Sequence, residues 1–181
     1  EAARHQDVDG VVVSGMLHAT TPLYEKVRAF FHHASEDPIL APKAPAGGWP
    51  EWYMTQRPGY RARMLEHADT IDPEISAHNE QIKATATLGE GESLPMTYEA
   101  AYSRAIKVPV LVVVGEHDAL FGGEGAGFPP ETAAVHAFEE SFYAPEARLE
   151  THVLPGAGHS LNLHRNATDW FEIVREWADR L

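Results

Sequence analysis

The chain has 181 residues, with 14 basic and 27 acidic side chains for a formal charge of −13, 44% apolar and 23% charged residues, and no cysteine. These fractions describe a globular chain of about one domain rather than a disordered one. The acidity argues against binding to a phosphate backbone, and the lack of cysteine excludes disulfides, thiolate metal sites and a cysteine nucleophile. The longest strongly apolar run, 108–114, is far short of the about 20 residues a membrane-spanning helix needs. The compartment stays open.

Residues 1–6 (EAARHQ) read as the tail of a helix. Val11–Val13, closed by Ser14-Gly15, reads as a short buried strand with a turn after it. Apolar residues at 23, 27, 30 and 31 predict a helix over 23–33. The four prolines and the Gly47-Gly48 pair between Asp37 and Pro50 predict a loop. Trp49, Trp52, Tyr53 and Met54 form an aromatic cluster that suits a core. Residues 60–67 and 73–88 read as helices, the second capped by Asp72 with Pro73 in its first turn. A polar break over 89–93 precedes a short helix over 97–105.

From Ile106 the pattern changes. The run 106–115 (IKVPVLVVVG) predicts a strand buried on both faces, as in a parallel sheet covered by helices. A glycine-rich loop over 119–130, a helix over 131–143 and a second strand over 148–154 follow. The last segment, 166–181, predicts an amphipathic helix with Trp170, Ile173, Val174 and Trp177 on one face. Strand–helix alternation implies an α/β fold with right-handed crossovers.

Ligands of open parallel sheets meet the loops at the carboxyl ends of the strands. Two such loops carry titratable groups: Gly115-Glu116-His117-Asp118 and Pro155-Gly156-Ala157-Gly158-His159-Ser160. Strands running the same way bring Asp118 and His159 to one sheet edge. An Asp beside a His selects one tautomer and stabilises the imidazolium. The alternative reading makes Asp118 a cap for the next segment and His159 a plain loop residue.

The string VPVLVVVGEHDALF (108–121) resembles the acid strand and loop of α/β-hydrolases, and VLPGAGHSLNLH (153–164) resembles their catalytic-histidine loop. VDGVVVSGMLH (8–18) resembles the strand just before the family's cap insertion. The resemblance implies the carboxyl-terminal part of the hydrolase sheet, built from 1–18 and 108–181, with a mainly helical cap and returning helix over 19–107. It implies Asp118 as triad acid and His159 as general base. Met16, His18 and Phe121 are the expected substrate contacts by position. Some of Phe30, Phe31, Trp49, Trp52, Met54 and Met64 are further candidates, lining an apolar pocket under the cap.

The family's G-x-S-x-G nucleophile elbow has no match. Ser160 follows the acid instead of preceding it, Ser14 lacks the preceding glycine, and Ser93 sits in a polar loop with no strand ahead. The expectation is therefore that the nucleophile lies on an amino-terminal segment or chain, from a nicked or self-cleaved precursor or as a second polypeptide. A bare edge along Val11–Val13 fits such a partner. The reaction implied is hydrolysis of an ester, lactone, thioester or amide of an apolar small molecule, with no cofactor. The alternatives are an alkyl-transfer hydrolase with an Asp nucleophile, as in dehalogenases and epoxide hydrolases, and a non-catalytic binding module. The eleven histidines show no H-E-x-x-H pattern, and no metal site is expected. The glycines at 122, 123, 125 and 127 make no dinucleotide fingerprint.

Overall fold

The structure, a computed structural model, describes residues 2–5 and 7–181, except for the side chains of Tyr98 and Glu124. The helix end expected over 1–6 falls partly on Glu1 and Gln6, which lie outside the described residues; Ala2–Arg4 form a turn.

In chain order, β1 (Val11–Ser14) leads into a 3-10 helix over Tyr24–Phe30 and then β2 (Phe31–His33). β3 (Tyr53–Gln56), α1 (Tyr60–Leu65), α2 (Pro73–Gln81), β4 (Ala86–Thr87), α3 (Leu88–Ser93) and α4 (Ala100–Arg104) follow. The remaining elements are β5 (Val110–Gly115), α5 (Thr132–Glu139), β6 (Glu150–Leu154) and α6 (Ala167–Ala178).

Two three-stranded sheets result. The main one is parallel, in the order β1-β5-β6, and helices flank it. Val11 pairs with Val110 and Ser14 with Val113, while Leu111 pairs with Glu150 and Gly115 with Leu154. All three strands therefore end on one side, where the loops expected to carry chemistry emerge.

β5 is buried at every residue, and its alternation splits the core in two. Val110, Val112 and Val114 face a cluster with Leu17, Phe30, Met64, Phe121 and Val135. Leu111 and Val113 face Leu154, Ala157, Leu161 and Trp177, with Trp170, Ile173 and Val174 of α6 packed against them. The apolar face expected for the last helix is thus the one that covers the sheet. Phe30 and Met64 come from the 19–107 segment, so that segment shares the core of the sheet.

Within 19–107 the structure departs from the sequence expectations. The helix expected over 23–33 is a 3-10 helix that gives way to β2, and Tyr53–Gln56 is a strand. β2, β3 and β4 form a small antiparallel sheet among the short helices. Strands of two to four residues are too short to show a period of two, which is why apolar spacing over 23–31 imitates a helix. The helix expected over 73–88 ends at Gln81, although Asp72 caps it as expected by accepting from Glu74 N at 2.9 Å. The polar stretch 89–93 is not a break but α3. A capping box starts it, with Thr87 Oγ1 accepting from Glu90 N and Glu90 Oε2 accepting from Thr87 N. The helix expected over 97–105 is interrupted at Glu99.

β1 also differs. It is not buried: Val12 is 37% exposed, and its free edge pairs with no strand among the described residues. Along that edge runs an open groove of about 890 Å³, lined at one end by Val8 and Val11–Val13 and at the other by Met16, His18 and Ser103.

Candidate functional site

Asp118 and His159 meet at the carboxyl ends of the strands, with Asp118 Oδ2 accepting from His159 Nδ1 at 3.0 Å. The Asp118 side chain is fully buried, and His159 is 23% exposed. The aspartate is oriented by its other oxygen: Oδ1 accepts from Leu120 N at 2.8 Å and from Phe121 N at 3.0 Å. A carboxylate held this way cannot turn from the imidazole without leaving two buried N–H groups unpaired. Because Nδ1 carries the proton, Nε2 is the basic nitrogen, and among the described residues it has no hydrogen-bond partner.

The two loops are tied to each other. Glu116 N donates to Leu154 O at 3.0 Å, His117 N to Ala157 O at 2.8 Å, and Gly156 N to Glu116 Oε2 at 2.7 Å. Glu116 is therefore engaged with the backbone of the histidine loop rather than with His159. The approach is so close that a Cβ at Gly115 would overlap the carbonyl oxygens of Gly158 and Ala157. A Cβ at Gly158 would come within 2.8 Å of the Glu66 carbonyl carbon. Glycine at both positions lets acid loop, histidine loop and the 65–71 segment close on one another.

His164 is the residue that sequence reasoning missed. It is buried, and its Nε2 accepts from His67 N and Gly158 N, both at 3.0 Å, while its Nδ1 donates to Ser160 O at 3.0 Å. It thus grips the residues on either side of His159 and joins them to 65–71. Burial holds its pKa below the ordinary histidine value, with the His67 imidazole adding to the effect against the Ser160 carbonyl. A spacing of five from His159 carries no signal of such a role; only the folded loop does.

The expected substrate contacts are placed as follows. Phe121 is buried beside the imidazole, ring centroids 5.6 Å apart. Met16 lines the groove along β1. His18 also lines it, but its ring is engaged: Nδ1 donates to Glu139 Oε2 at 2.7 Å, and Nε2 accepts from Ser103 Oγ at 2.8 Å. His18 is therefore held in a network of its own. Of the aromatic candidates, Trp49 donates to Leu40 O at 2.9 Å and packs near Tyr53, with centroids 5.8 Å apart, while Trp52 is exposed.

Of the serines weighed as nucleophile, none hydrogen-bonds to His159 Nε2 among the described residues. Ser160 sits next to His159, with its N donating to Leu65 O at 2.8 Å. Ser14 is exposed on β1, and Ser93 ends α3.

No family model matches the chain, and no curated protein does. Among solved structures, the chain is similar to a thermophilic esterase from Thermogutta terrifontis, determined with malate bound. The TM-score is 0.44 and the identity 24%, over 68% of this chain and 44% of that one. The chain thus spans less than half the length of that structure.

Proposed function

We propose that this chain supplies the acid and the base of a serine hydrolase that cleaves an ester, lactone or amide of an apolar small molecule, with the nucleophile on a segment outside residues 1–181. The observation that carries the reading is the Asp118–His159 pair at 3.0 Å, whose Nε2 has no partner among the described residues at the mouth of the strands. In the reaction, His159 takes the proton of a serine as that oxygen attacks the carbonyl carbon. It then returns the proton to the leaving group, while Asp118 holds the ring and stabilises its charged form.

The bare edge of β1 supports the place of the missing segment. An unpaired parallel edge presents a row of N–H and C=O groups that pair readily with an added strand. The end of the groove lined by Val8 and Val11–Val13 gives such a segment an apolar surface to cover. A nucleophile carried on a turn after that strand would arrive at the same sheet edge as His159.

The test is labelling of the protein, with any polypeptide that co-purifies, by a serine-directed fluorophosphonate. The reading expects a labelled serine within a G-x-S-x-G segment and loss of that label in His159→Ala. Absence of any such labelled segment from an assembly that hydrolyses esters contradicts it.

A further inference from the structure

A second serine–histidine–carboxylate chain lies in the same molecule, apart from Asp118 and His159. Ser103 Oγ donates to His18 Nε2 at 2.8 Å, and His18 Nδ1 donates to Glu139 Oε2 at 2.7 Å. The three residues are 85 and 121 positions apart in the chain, brought together by the turn after β1, α4 and the end of α5.

The imidazole is fixed on every side. Glu139 Oε1 also accepts from the backbone N of His18 at 2.8 Å, so one carboxylate grips both ring and main chain. The Phe142 ring stacks on the imidazole at 4.2 Å, nearly parallel, and the Tyr143 ring meets it edge-on at 5.5 Å. Such locking is what a catalytic base needs to keep its geometry without reorganisation. Burial, with the charge of Glu139 adding to it, raises the pKa of the Tyr143 phenol above its ordinary range.

Ser103 is 7% exposed and lines the groove at the end away from Val8 and Val11–Val13, with Met16, Tyr102 and Ile106. We infer that Ser103, His18 and Glu139 form a second acyl-transfer site that takes esters with an apolar acyl group from this end of the groove. Ser103 Oγ forms the bond to the carbonyl carbon while its proton passes to His18 Nε2. His18 hands that proton to the alcohol oxygen as its bond to the carbonyl carbon breaks. Water then attacks the acyl-serine, giving a proton to His18 that returns to Ser103 Oγ as the acid leaves. Glu139 keeps the Nδ1 proton in place throughout.

All three groups belong to this chain, so the inference stands independently of where the partner serine of His159 lies. The experiment is fluorophosphonate labelling of the purified protein, with any co-purifying chain, followed by peptide mapping. An adduct on the Ser103 peptide, absent in Ser103→Ala and slowed on the order of 10⁴-fold in Glu139→Gln, is expected from loss of the right tautomer. His18→Gln should abolish it. Glu139→Gln preserves volume and decides the matter if His18→Gln fails to fold. A folded protein without an adduct at Ser103, or an adduct whose rate Glu139→Gln leaves unchanged, overturns the inference. A label on a serine outside this chain bears only on the His159 reading.

Discussion

At the residue scale, the account depends on which atom of His159 is free. Asp118 accepts from Nδ1, which leaves Nε2 free for the base role in the proposed reaction. In a Ser103→Ala background, His159→Ala should reduce ester turnover by the assembled protein to background. Asp118→Asn should cost about 10⁴-fold, because an amide no longer selects the productive tautomer. Initial-rate assays on folded variants check both. His164 makes a separate prediction. Its burial keeps it neutral in the folded loop, so the unfolded chain binds the proton more readily. The stability it contributes is complete above the unfolded value of about 6.5 and is lost as pH falls toward its depressed folded value. Thermal midpoints should therefore drop between about pH 7 and pH 5, by less in His164→Gln, which has no proton to take up. Equal pH slopes in the two proteins would contradict this. The Asp118–His159 meeting was legible because each residue follows a recognisable strand. The network around His164, and that of Ser103, His18 and Glu139, was not, since its partners lie in distant segments with no local pattern.

At the scale of elements, the main sheet and its cover are written plainly in the residues. β5 carries an unbroken apolar run, 110–114, because both of its faces are buried, and α6 carries its apolar face at helical spacing. The small sheet is held differently. Asp37 lies at its side, fully buried, where Oδ2 accepts from Lys83 Nζ at 2.6 Å and from His32 Nε2 at 3.0 Å. Oδ1 accepts from the backbone N of Ile39 and Leu40. Burial alone would raise the carboxyl pKa, but Lys83 and these donors outweigh it and hold it below the ordinary value. Lys83 also donates to Glu80 Oε1 and Gln56 O, which joins the end of α2 to β3. Lys83→Ala strands a buried carboxylate and should destabilise the fold by about 3–5 kcal/mol, measured by denaturant unfolding. A loss below about 1 kcal/mol would show that the cluster is solvated. Nothing local announces this cluster: His32, Asp37 and Lys83 read as ordinary polar residues until the short strands bring them together.

At the scale of the whole molecule, two features are out of balance. The carboxyl ends of the strands present an oriented Asp118–His159 pair whose Nε2 has no partner among the described residues. The edge of β1 is open beside a groove of about 890 Å³. The triple valine of β1 suggests a buried strand, and it is one only if a further strand covers it; within the described residues Val12 is exposed. One added segment would complete both features, a strand against β1 and a nucleophile beside His159. The most direct measurement is intact mass spectrometry, under denaturing conditions, of the protein isolated from its native source. The account predicts polypeptide mass beyond these 181 residues that includes a G-x-S-x-G sequence. A single folded species of 19.9 kDa whose ester hydrolysis survives Ser103→Ala and is lost in His159→Ala would contradict it.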